Sequence, residues 1–412
     1  PIAMSWIYTQ MDNKVIDALF GLSHSNNLKE FKTALPKIHA PGLNIMYGDV
    51  KGNVAWFATA QLYNIPDSVN TKLIYEVGEG LPLQKDLFSF NENPQAINPP
   101  SHYVYSANNQ PDSIAGMLYP GYYLPENRAK RIVELLEPKN DWDKDSASEM
   151  ITDVTSSVDP IIIADLAKLI DINLLSETGL KVIDSLKMWN GNYNLQSVEA
   201  TVFNRWIYYY LKNTFKDELG EELFTQFLGT HFMKRLIAPL SRNESSVWWD
   251  DVSTTDVTEN MQYIVNKSFS EAITSLKKDF GKNSEKWKWK NVHTIEHAHP
   301  IGQIAALRSF FNVGPYPIEG GREVINNMSF SYDETGFYKT SSGPSTRRIV
   351  DFSDIENSIS ILPTGQSGNP FSKHYKDQAE MYVKGKFRKM MMNEDEIKKN
   401  AESTLMLIPL VK

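Results

Sequence analysis

The segment ILPTGQSGNPFSKHYKDQ, residues 361–378, gathers two serines, a histidine and an aspartate in one short stretch. The four residues are Ser367, Ser372, His374 and Asp377. These are the residue types of a nucleophilic triad, but a triad usually draws its base and its orienting carboxylate from distant segments. Neither serine lies in a G-x-S-x-G turn, which would expose its hydroxyl. The residue types alone therefore do not establish a catalytic centre.

The glycines and the proline of this segment favour a structural interpretation. Gly365, Gly368 and Pro370 predict a tight loop whose backbone approaches another group closely. We expect the loop to shape the C-terminal part of the fold, with His374 fixing it through hydrogen bonds.

A second candidate site is the histidine-rich segment HTIEHAHP, residues 293–300. His293 and His297 would share one face if the segment were a helix. The order is not H-E-x-x-H, because Glu296 precedes His297, and the final proline disfavours a helix at His299. No distant carboxylate ligand stands out. We expect packed or hydrogen-bonded histidines and no zinc site.

Two adjacent amides, Asn108 and Asn109, follow a predicted apolar strand in HYVYSANNQPD, residues 102–112, which Pro111 cuts off. A side-chain amide at the end of a strand offers neutral N–H donors, which can hold a developing oxyanion. The alternative is a turn, because asparagine tolerates left-handed backbone geometry. From these residues alone, the turn is the favoured interpretation.

Aromatic clusters recur in the second half of the chain: WIYYYL (206–211), VWWDD (247–251) and WKWK (287–290). They could line an apolar cleft, but such clusters more often form core packing. Asp250 and Asp251 lie on a single stretch, and no second acid is identified that would face them across a sugar. A glycosidase is therefore not indicated.

Composition excludes several classes of protein. The 412 residues are 41% hydrophobic and 22% charged, as in ordinary globular proteins. A net charge of −8 without a basic block argues against nucleic acid as a partner. No apolar run approaches the ~18 residues of a membrane span, so no membrane partner is expected. The absence of cysteine excludes disulfides and thiolate sites and suits an exported protein.

The elements that must position these residues fall into three predicted regions. Residues 1–120 are expected to form the first part of a sheet core, with a hairpin at LNIMYGDVKGNVAWFATA (43–60) turning through Lys-Gly-Asn at positive φ. Residues 121–285 show helical spacing and are expected to form a helical lobe. Residues 286–412 return to short strands and end in a charged helix. This order indicates one sheet core interrupted by helices.

Five segments occur in the order found in the β-subunit of the penicillin acylase family: NIMYGDVKGNVAWFATA, YVYSANNQPD, ENRAKRIVELL, GPSTRRIVDF and PTGQSGNPFSKHYKDQ. These enzymes are amidases of the N-terminal-nucleophile hydrolase superfamily. The chain resembles the C-terminal part of that subunit from about residue 1 to residue 390. The resemblance implies an α+β fold, an αββα sandwich that would be incomplete here, with a helical lobe.

The resemblance also implies how the complete enzyme is made and works. Family members are exported precursors, periplasmic or secreted, that cleave themselves into α and β chains. The β chain then opens with a serine that attacks the amide carbonyl, while its own α-amine acts as the base. Because PIAMSWIYTQ resembles a segment well inside that chain, the nucleophile is expected upstream of Pro1 and Ser5 is not assigned to that role.

Two residues of the family's active site carry over by resemblance. Asn108 resembles the asparagine whose side-chain N–H helps to bind the oxyanion. Arg128, in ENRAKRI, resembles the arginine that organises that asparagine and the amine. The alternative for Arg128 is that it only pins the helical lobe to the sheet.

The implied partners are the α-subunit, the missing N-terminal part of the β-subunit and a small acyl-amide substrate. No cofactor is expected. The family's calcium aspartate has no clear match around SIAGMLYPGYY (113–123), so any calcium of the complete enzyme would take its ligands mostly from outside this chain. By itself the chain is expected to be inactive. The alternative function is a non-catalytic binding or structural module derived from the same fold.

Overall fold

The computed structural model describes residues 2–4, 6–76, 86–111 and 118–409. The chain divides into two compact units, residues 1–129 and residues 130–412. Pro1, Ser5 and Asp112, as well as the first part of SIAGMLYPGYY, lie outside the described residues. The division into three regions remains a prediction.

The first unit combines two helices with a small antiparallel sheet. The helices are α1 (Val15–Ser23) and α2 (Leu28–Ala34). The strands are β1 (Leu43–Gly48), β2 (Val54–Thr59) and β3 (Gln95–Ile97), in the order β1-β2-β3. A buried cluster joins helices and sheet, made of Ala18, Leu35, Ile38, Ala55 and Phe57.

The predicted hairpin is confirmed, with Gly48 paired to Val54 across the turn. Asp49 organises that turn, because its Oδ1 accepts from the backbone N–H of Lys51 at 2.9 Å and its Oδ2 accepts from the side-chain amide of Asn53 at 2.8 Å. The bond from the Asn53 side chain, with further bonds to the carboxylate, lowers the pKa of Asp49 to about 2. Of the predicted Lys-Gly-Asn positions only Gly52 has a positive φ, of 84°.

Helices dominate the chain between the two groups of strands. They are α3 (Asn127–Leu136), α4 (Lys144–Ile151), α5 (Asp159–Ala167), α6 (Glu177–Met188), α7 (Glu199–Leu228), α8 (His231–Leu240) and α9 (Met261–Phe280). Helix α3 ends two residues before Pro138, as the sequence predicts, because proline cannot continue the hydrogen-bond ladder.

The main core of the second unit forms around α7 and α9. Trp206 of α7 packs edge-on against Phe269 of α9, with 4.9 Å between the ring centroids. Trp287 and Trp289 are also fully buried in this core. The aromatic segments WIYYYL and WKWK are therefore core packing, which was the favoured interpretation.

Two further three-stranded sheets lie in the second unit. The first has the order β5-β4-β6 and the second the order β7-β8-β9. Their strands are β4 (His293–His297), β5 (Val313–Pro317), β6 (Tyr338–Lys339), β7 (Arg347–Ile349), β8 (Ile359–Ile361) and β9 (Arg388–Lys389). Short helices complete the unit: α10 (Arg308–Phe311), α11 (Ala379–Val383) and α12 (Glu394–Asn400). The charged C-terminal helix is thus confirmed.

One local prediction was wrong: the apolar residues before Asn108 form no strand. HTIEHAHP contains strand β4, so His293 and His297 do not share a helix face and lie ~13 Å apart along the strand. Among the described residues, no helix is long and apolar enough to cross a membrane.

Candidate active site

Asn108 lies in the loop between β3 and α3 and adopts left-handed backbone geometry, with a φ of 62°. That region is unfavourable for most side chains but tolerated by asparagine. The backbone is held there by two bonds: Leu124 N donates to Asn108 O at 2.9 Å, and Asn108 N donates to the hydroxyl of Ser106 at 3.4 Å. The turn interpretation is therefore correct for the backbone, which leaves the role of the side chain to be decided separately.

The side chain of Asn108 is oriented by Arg128, from the first turn of α3. Arg128 Nη2 donates to Asn108 Oδ1 at 2.8 Å and to the carbonyl oxygen of Ala107 at 2.5 Å. A guanidinium can only donate hydrogen bonds, so it selects the oxygen end of the amide. Asn108 Nδ2 is consequently turned away from Arg128.

The neighbouring amide is used differently. Asn109 Oδ1 accepts from Ala107 N at 3.2 Å, and Asn109 Nδ2 donates to the carbonyl oxygen of Gln110 at 3.1 Å. Asn108 is exposed, and its Nδ2 has no hydrogen-bond acceptor within the described ranges. Of the two adjacent asparagines, Asn108 is therefore the one whose donor can serve a ligand. The residue types alone did not separate the two, whereas the family resemblance pointed to Asn108. Neither revealed the Ala107 carbonyl that helps to hold Arg128.

Two hydrogen bonds that involve Tyr119 support the loop that carries Asn108. Gln110 Nε2 donates to the carbonyl oxygen of Tyr119 at 3.1 Å, and the Tyr119 hydroxyl donates to the carbonyl oxygen of Tyr63 at 2.9 Å. Burial raises the pKa of Tyr119 to about 12, so this hydroxyl stays protonated as a donor. The loop that carries Asn108 is thereby tied to the remainder of the first unit.

The GQSGNPFSKHYKDQ loop uses its polar groups internally. His374 Nδ1 and Asp377 Oδ2 are 2.9 Å apart, while the Ser372 hydroxyl accepts from His374 N at 3.1 Å. The Ser367 hydroxyl accepts from Asn369 N at 3.1 Å. Both serine hydroxyls therefore support backbone turns, and this geometry fits the structural interpretation.

The loop contains two glycines, and close packing requires glycine at only one of these positions. A Cβ on Gly365 would lie 1.9 Å from the carbonyl oxygen of His374, whereas a Cβ on Gly368 would meet nothing within 4 Å. The close approach predicted for the loop is thus found at Gly365 and not at Gly368.

The histidines of HTIEHAHP do not form a site. His293 is fully buried, its Nδ1 is 2.7 Å from the carbonyl oxygen of Tyr338, and burial lowers its pKa to about 4. Its ring stacks on Trp289 at 4.7 Å between centroids. His299 Nδ1 accepts from Ile301 N at 3.1 Å. Nowhere in the described part of the chain do three or more His, Asp or Glu residues group as metal ligands.

The paired aspartates also organise a loop. Asp250 Oδ1 accepts from Glu259 N at 3.0 Å, and Asp251 Oδ1 accepts from Ser253 N at 3.1 Å. The bond from the Ser253 side chain is the main reason that the pKa of Asp251 is lowered. An ionised carboxylate that caps a turn in this way is a structural group.

Comparison with known families shows which family the chain is related to. The sequence profile of the penicillin amidase family matches residues 1–399. The chain belongs to that family. The resemblance that the five motifs carried is thereby confirmed.

Individual penicillin amidase relatives share about a quarter of their residues with this chain. The acyl-homoserine lactone acylase QuiP of Pseudomonas aeruginosa is 25% identical over 417 residues, which cover 92% of this chain and 48% of the relative. The penicillin acylase 2 proenzyme of Pseudomonas sp. (strain SE83) is 24% identical over 377 residues, covering 89% and 46%. The chain thus spans about half the length of these relatives.

A solved structure shows the fold of this penicillin amidase family member. A thermostable penicillin G acylase from Alcaligenes faecalis superposes with a TM-score of 0.64 at 16% identity, covering 99% of this chain and 77% of that one. The predicted fold class is confirmed: the chain is α+β and has the fold of the N-terminal-nucleophile hydrolases.

Proposed function

We propose that the complete protein hydrolyses the amide bond of a small acylated substrate, such as a penicillin or an acyl-homoserine lactone, through a covalent acyl-enzyme. Membership of the penicillin amidase family supports the reaction class. The relatives include an acyl-homoserine lactone acylase and a penicillin acylase, which supports the two substrate types. The chain described here contributes part of the oxyanion site, and the nucleophile is supplied by a segment upstream of it.

The observation that carries this proposal is the orientation of the Asn108 amide. Hydrolysis of an amide passes through a tetrahedral intermediate whose oxygen becomes negative, and donors fixed beforehand stabilise it without reorganising. Arg128 holds Asn108 Oδ1 at 2.8 Å, so Nδ2 is presented as a neutral donor.

Arg128 acts on the reaction through Asn108. Its positive charge polarises the amide and so strengthens the Nδ2–H donor, and its fixed geometry prevents the amide from flipping. In the complete enzyme it would also approach the α-amine of the nucleophilic serine. That amine, with an ordinary pKa of ~7.7–8.0, would accept the proton of the serine hydroxyl near neutral pH.

The remaining parts of the proposal concern the rest of the protein. The α-subunit and the N-terminal part of the β-subunit would supply the nucleophile, the backbone oxyanion donor and most of the acyl pocket. The mature protein would be periplasmic or secreted. The chain described here would be inactive by itself, because it would lack the attacking group.

The test measures hydrolysis by the complete protein with Asn108→Gly as the variant. Glycine retains the left-handed backbone and removes only the amide. We expect kcat for a chromogenic acyl anilide to fall ~10²–10³-fold, with a smaller change in KM. Release of the fatty acid from an acyl-homoserine lactone and of the side chain from a penicillin, measured in parallel, assigns the substrate type.

Asn98→Gly is the matched control. Asn98 also has a positive φ, of 47°, but its Nδ2 donates to Asn53 within the hairpin at 3.0 Å. We expect this change to lower thermal stability and to leave kcat within about twofold of the unmodified protein. Equal losses of kcat in both variants, or no hydrolysis by the folded complete protein, would contradict the proposal and favour the non-catalytic module.

A further inference from the structure

The second unit contains an apolar pocket that the proposed reaction does not use. It has a volume of about 460 Å³ and lies among helix α7, helix α8 and the 3₁₀ turn Val247–Trp249. Sites for small molecules in proteins commonly have volumes of ~300–1,000 Å³. The pocket is therefore large enough for one small ligand.

The pocket exists because helix α7 is broken. Gly220, with φ 68° and ψ 177°, separates the helix into two arms. Phe215 and Leu219 line the pocket from the first arm, and Phe227 lines it from the second. An uninterrupted helix would carry these residues along one straight rod, whereas the break lets the two arms enclose a concave surface.

Four aromatic side chains and five aliphatic ones make the pocket lining mainly apolar. The ring of Phe215 lies 5.1 Å from that of Phe227 and 5.2 Å from that of Trp248, both in tilted geometry. Phe227 in turn meets Phe232 of α8 edge-on at 6.3 Å. Rings in such tilted and edge-on arrangements offer both faces and edges to a hydrocarbon guest.

Charge is absent from the lining, and hydrogen bonds within the chain already use part of its few polar groups. Among the described residues that line the pocket, only Asn243 and Ser246 are polar. The Ser246 hydroxyl accepts from Trp248 N at 3.3 Å, and the Asn243 carbonyl oxygen accepts from Trp249 Nε1 at 2.9 Å. An ionised ligand would lose its hydration without gaining a counter-ion, which is strongly unfavourable. The lining therefore selects an uncharged guest.

Two apolar side chains at the mouth of the pocket are strongly exposed to solvent. Val247 is 83% exposed and Phe232 is 50% exposed. Exposed apolar groups around a concave apolar surface are typical of a ligand site. We propose that this pocket binds the hydrocarbon body of an uncharged small molecule. The proposal is independent of amide hydrolysis by the complete protein.

The test titrates the complete protein with the neutral dye N-phenylnaphthylamine, whose fluorescence rises in apolar surroundings. We expect saturable binding at one site per chain and displacement of the dye by decanamide. In Val247→Asp we expect about tenfold weaker binding, because the new carboxylate at the mouth must be desolvated when the guest enters. Val247 is mostly exposed, so this change does not disturb the core.

Val257→Asp is the matched control, because Val257 is 58% exposed and does not line the pocket. We expect its dye affinity to equal that of the unmodified chain. Equal weakening in both variants, or a dye signal that never saturates, would overturn the proposal. Sedimentation of the same samples adds a further outcome: a dimer that Val247→Asp dissociates would assign the surface to a second copy of the chain and would also overturn it.

Discussion

The Arg128 guanidinium donates to the Asn108 side-chain oxygen over 2.8 Å, although the two residues are twenty positions apart in the sequence. This bond joins the start of helix α3 to a loop held in left-handed geometry. It determines which end of the Asn108 amide points away from the protein, since a guanidinium pairs only with an acceptor. The candidate oxyanion donor thus depends on two residues rather than on one.

A double-mutant cycle in the complete protein measures this dependence. We expect Arg128→Met alone to lower kcat/KM by about tenfold or more, because the Asn108 amide is then free to rotate. Combined with Asn108→Gly, the loss should be well short of the product of the two single losses, because both changes remove the same oriented donor. If the two losses of kcat/KM instead multiply in the double variant, Arg128 and Asn108 act separately. That outcome would favour the alternative, in which Arg128 only pins the helical lobe to the sheet.

A buried carboxyl makes the stability of the second unit depend on pH. Asp159 is buried at the start of α5, where its Oδ2 accepts from the Tyr193 hydroxyl at 2.7 Å. Burial raises the pKa of Asp159 from 3.8 to about 6. The folded state therefore holds the proton more tightly than the unfolded state, and this group's contribution to stability is lost as pH rises from about 4 to about 6.

Asp159→Asn should remove that dependence while keeping an acceptor for Tyr193. We expect the variant and the unmodified chain to differ little near pH 4, and the variant to be more stable by ~3 kcal/mol at pH 7. Urea denaturation at a series of pH values measures the difference between the two chains. A constant difference across that range would show that Asp159 titrates alike in the folded and unfolded states.

The ionisation of His293 changes the free energy of unfolding with pH in the opposite sense to that of Asp159, over nearly the same pH range. Burial lowers its pKa from 6.5 to about 4, so the unfolded state binds the proton more tightly. Its contribution to stability is therefore present above pH 6.5 and is lost as pH falls towards 4. The pH dependences that Asp159 and His293 give to the free energy of unfolding therefore partly offset each other in the unmodified chain. Comparison with Asp159→Asn separates the contribution of Asp159 from that of His293.

The close packing at Gly365 gives a sharp test of the GQSGNPFSKHYKDQ loop. In Gly365→Ala the new Cβ would overlap the His374 carbonyl oxygen, at 1.9 Å, so that backbone must move. We expect a loss of stability of ~1–3 kcal/mol. Thermal unfolding monitored by circular dichroism measures it.

Gly368→Ala is the control for that experiment, because its new Cβ would meet nothing within 4 Å. We expect little change or a gain of up to ~1 kcal/mol, from the lower entropy of the unfolded chain. Similar losses in the two variants would mean that the packing around Gly365 does not govern the stability of the loop.

Local sequence patterns predicted several elements correctly. The turn chemistry around Gly52 predicted the hairpin, and helical spacing followed by Pro138 predicted α3. The secondary structure of HTIEHAHP was left open by its histidine spacing. A spacing of four residues places side chains on one face in a helix and also in a strand, so His293 and His297 could not distinguish the two structures.

The sequence by itself determined the family, the α+β class and the identities of Asn108 and Arg128 as residues to examine, because motif order and local periodicity are properties of the chain. Only the tertiary structure decided how the Asn108 amide is oriented and that His293 is buried. It alone revealed that the break at Gly220 opens an apolar pocket. Amide orientation, burial and concavity arise from contacts between segments distant along the chain, and no local pattern encodes them.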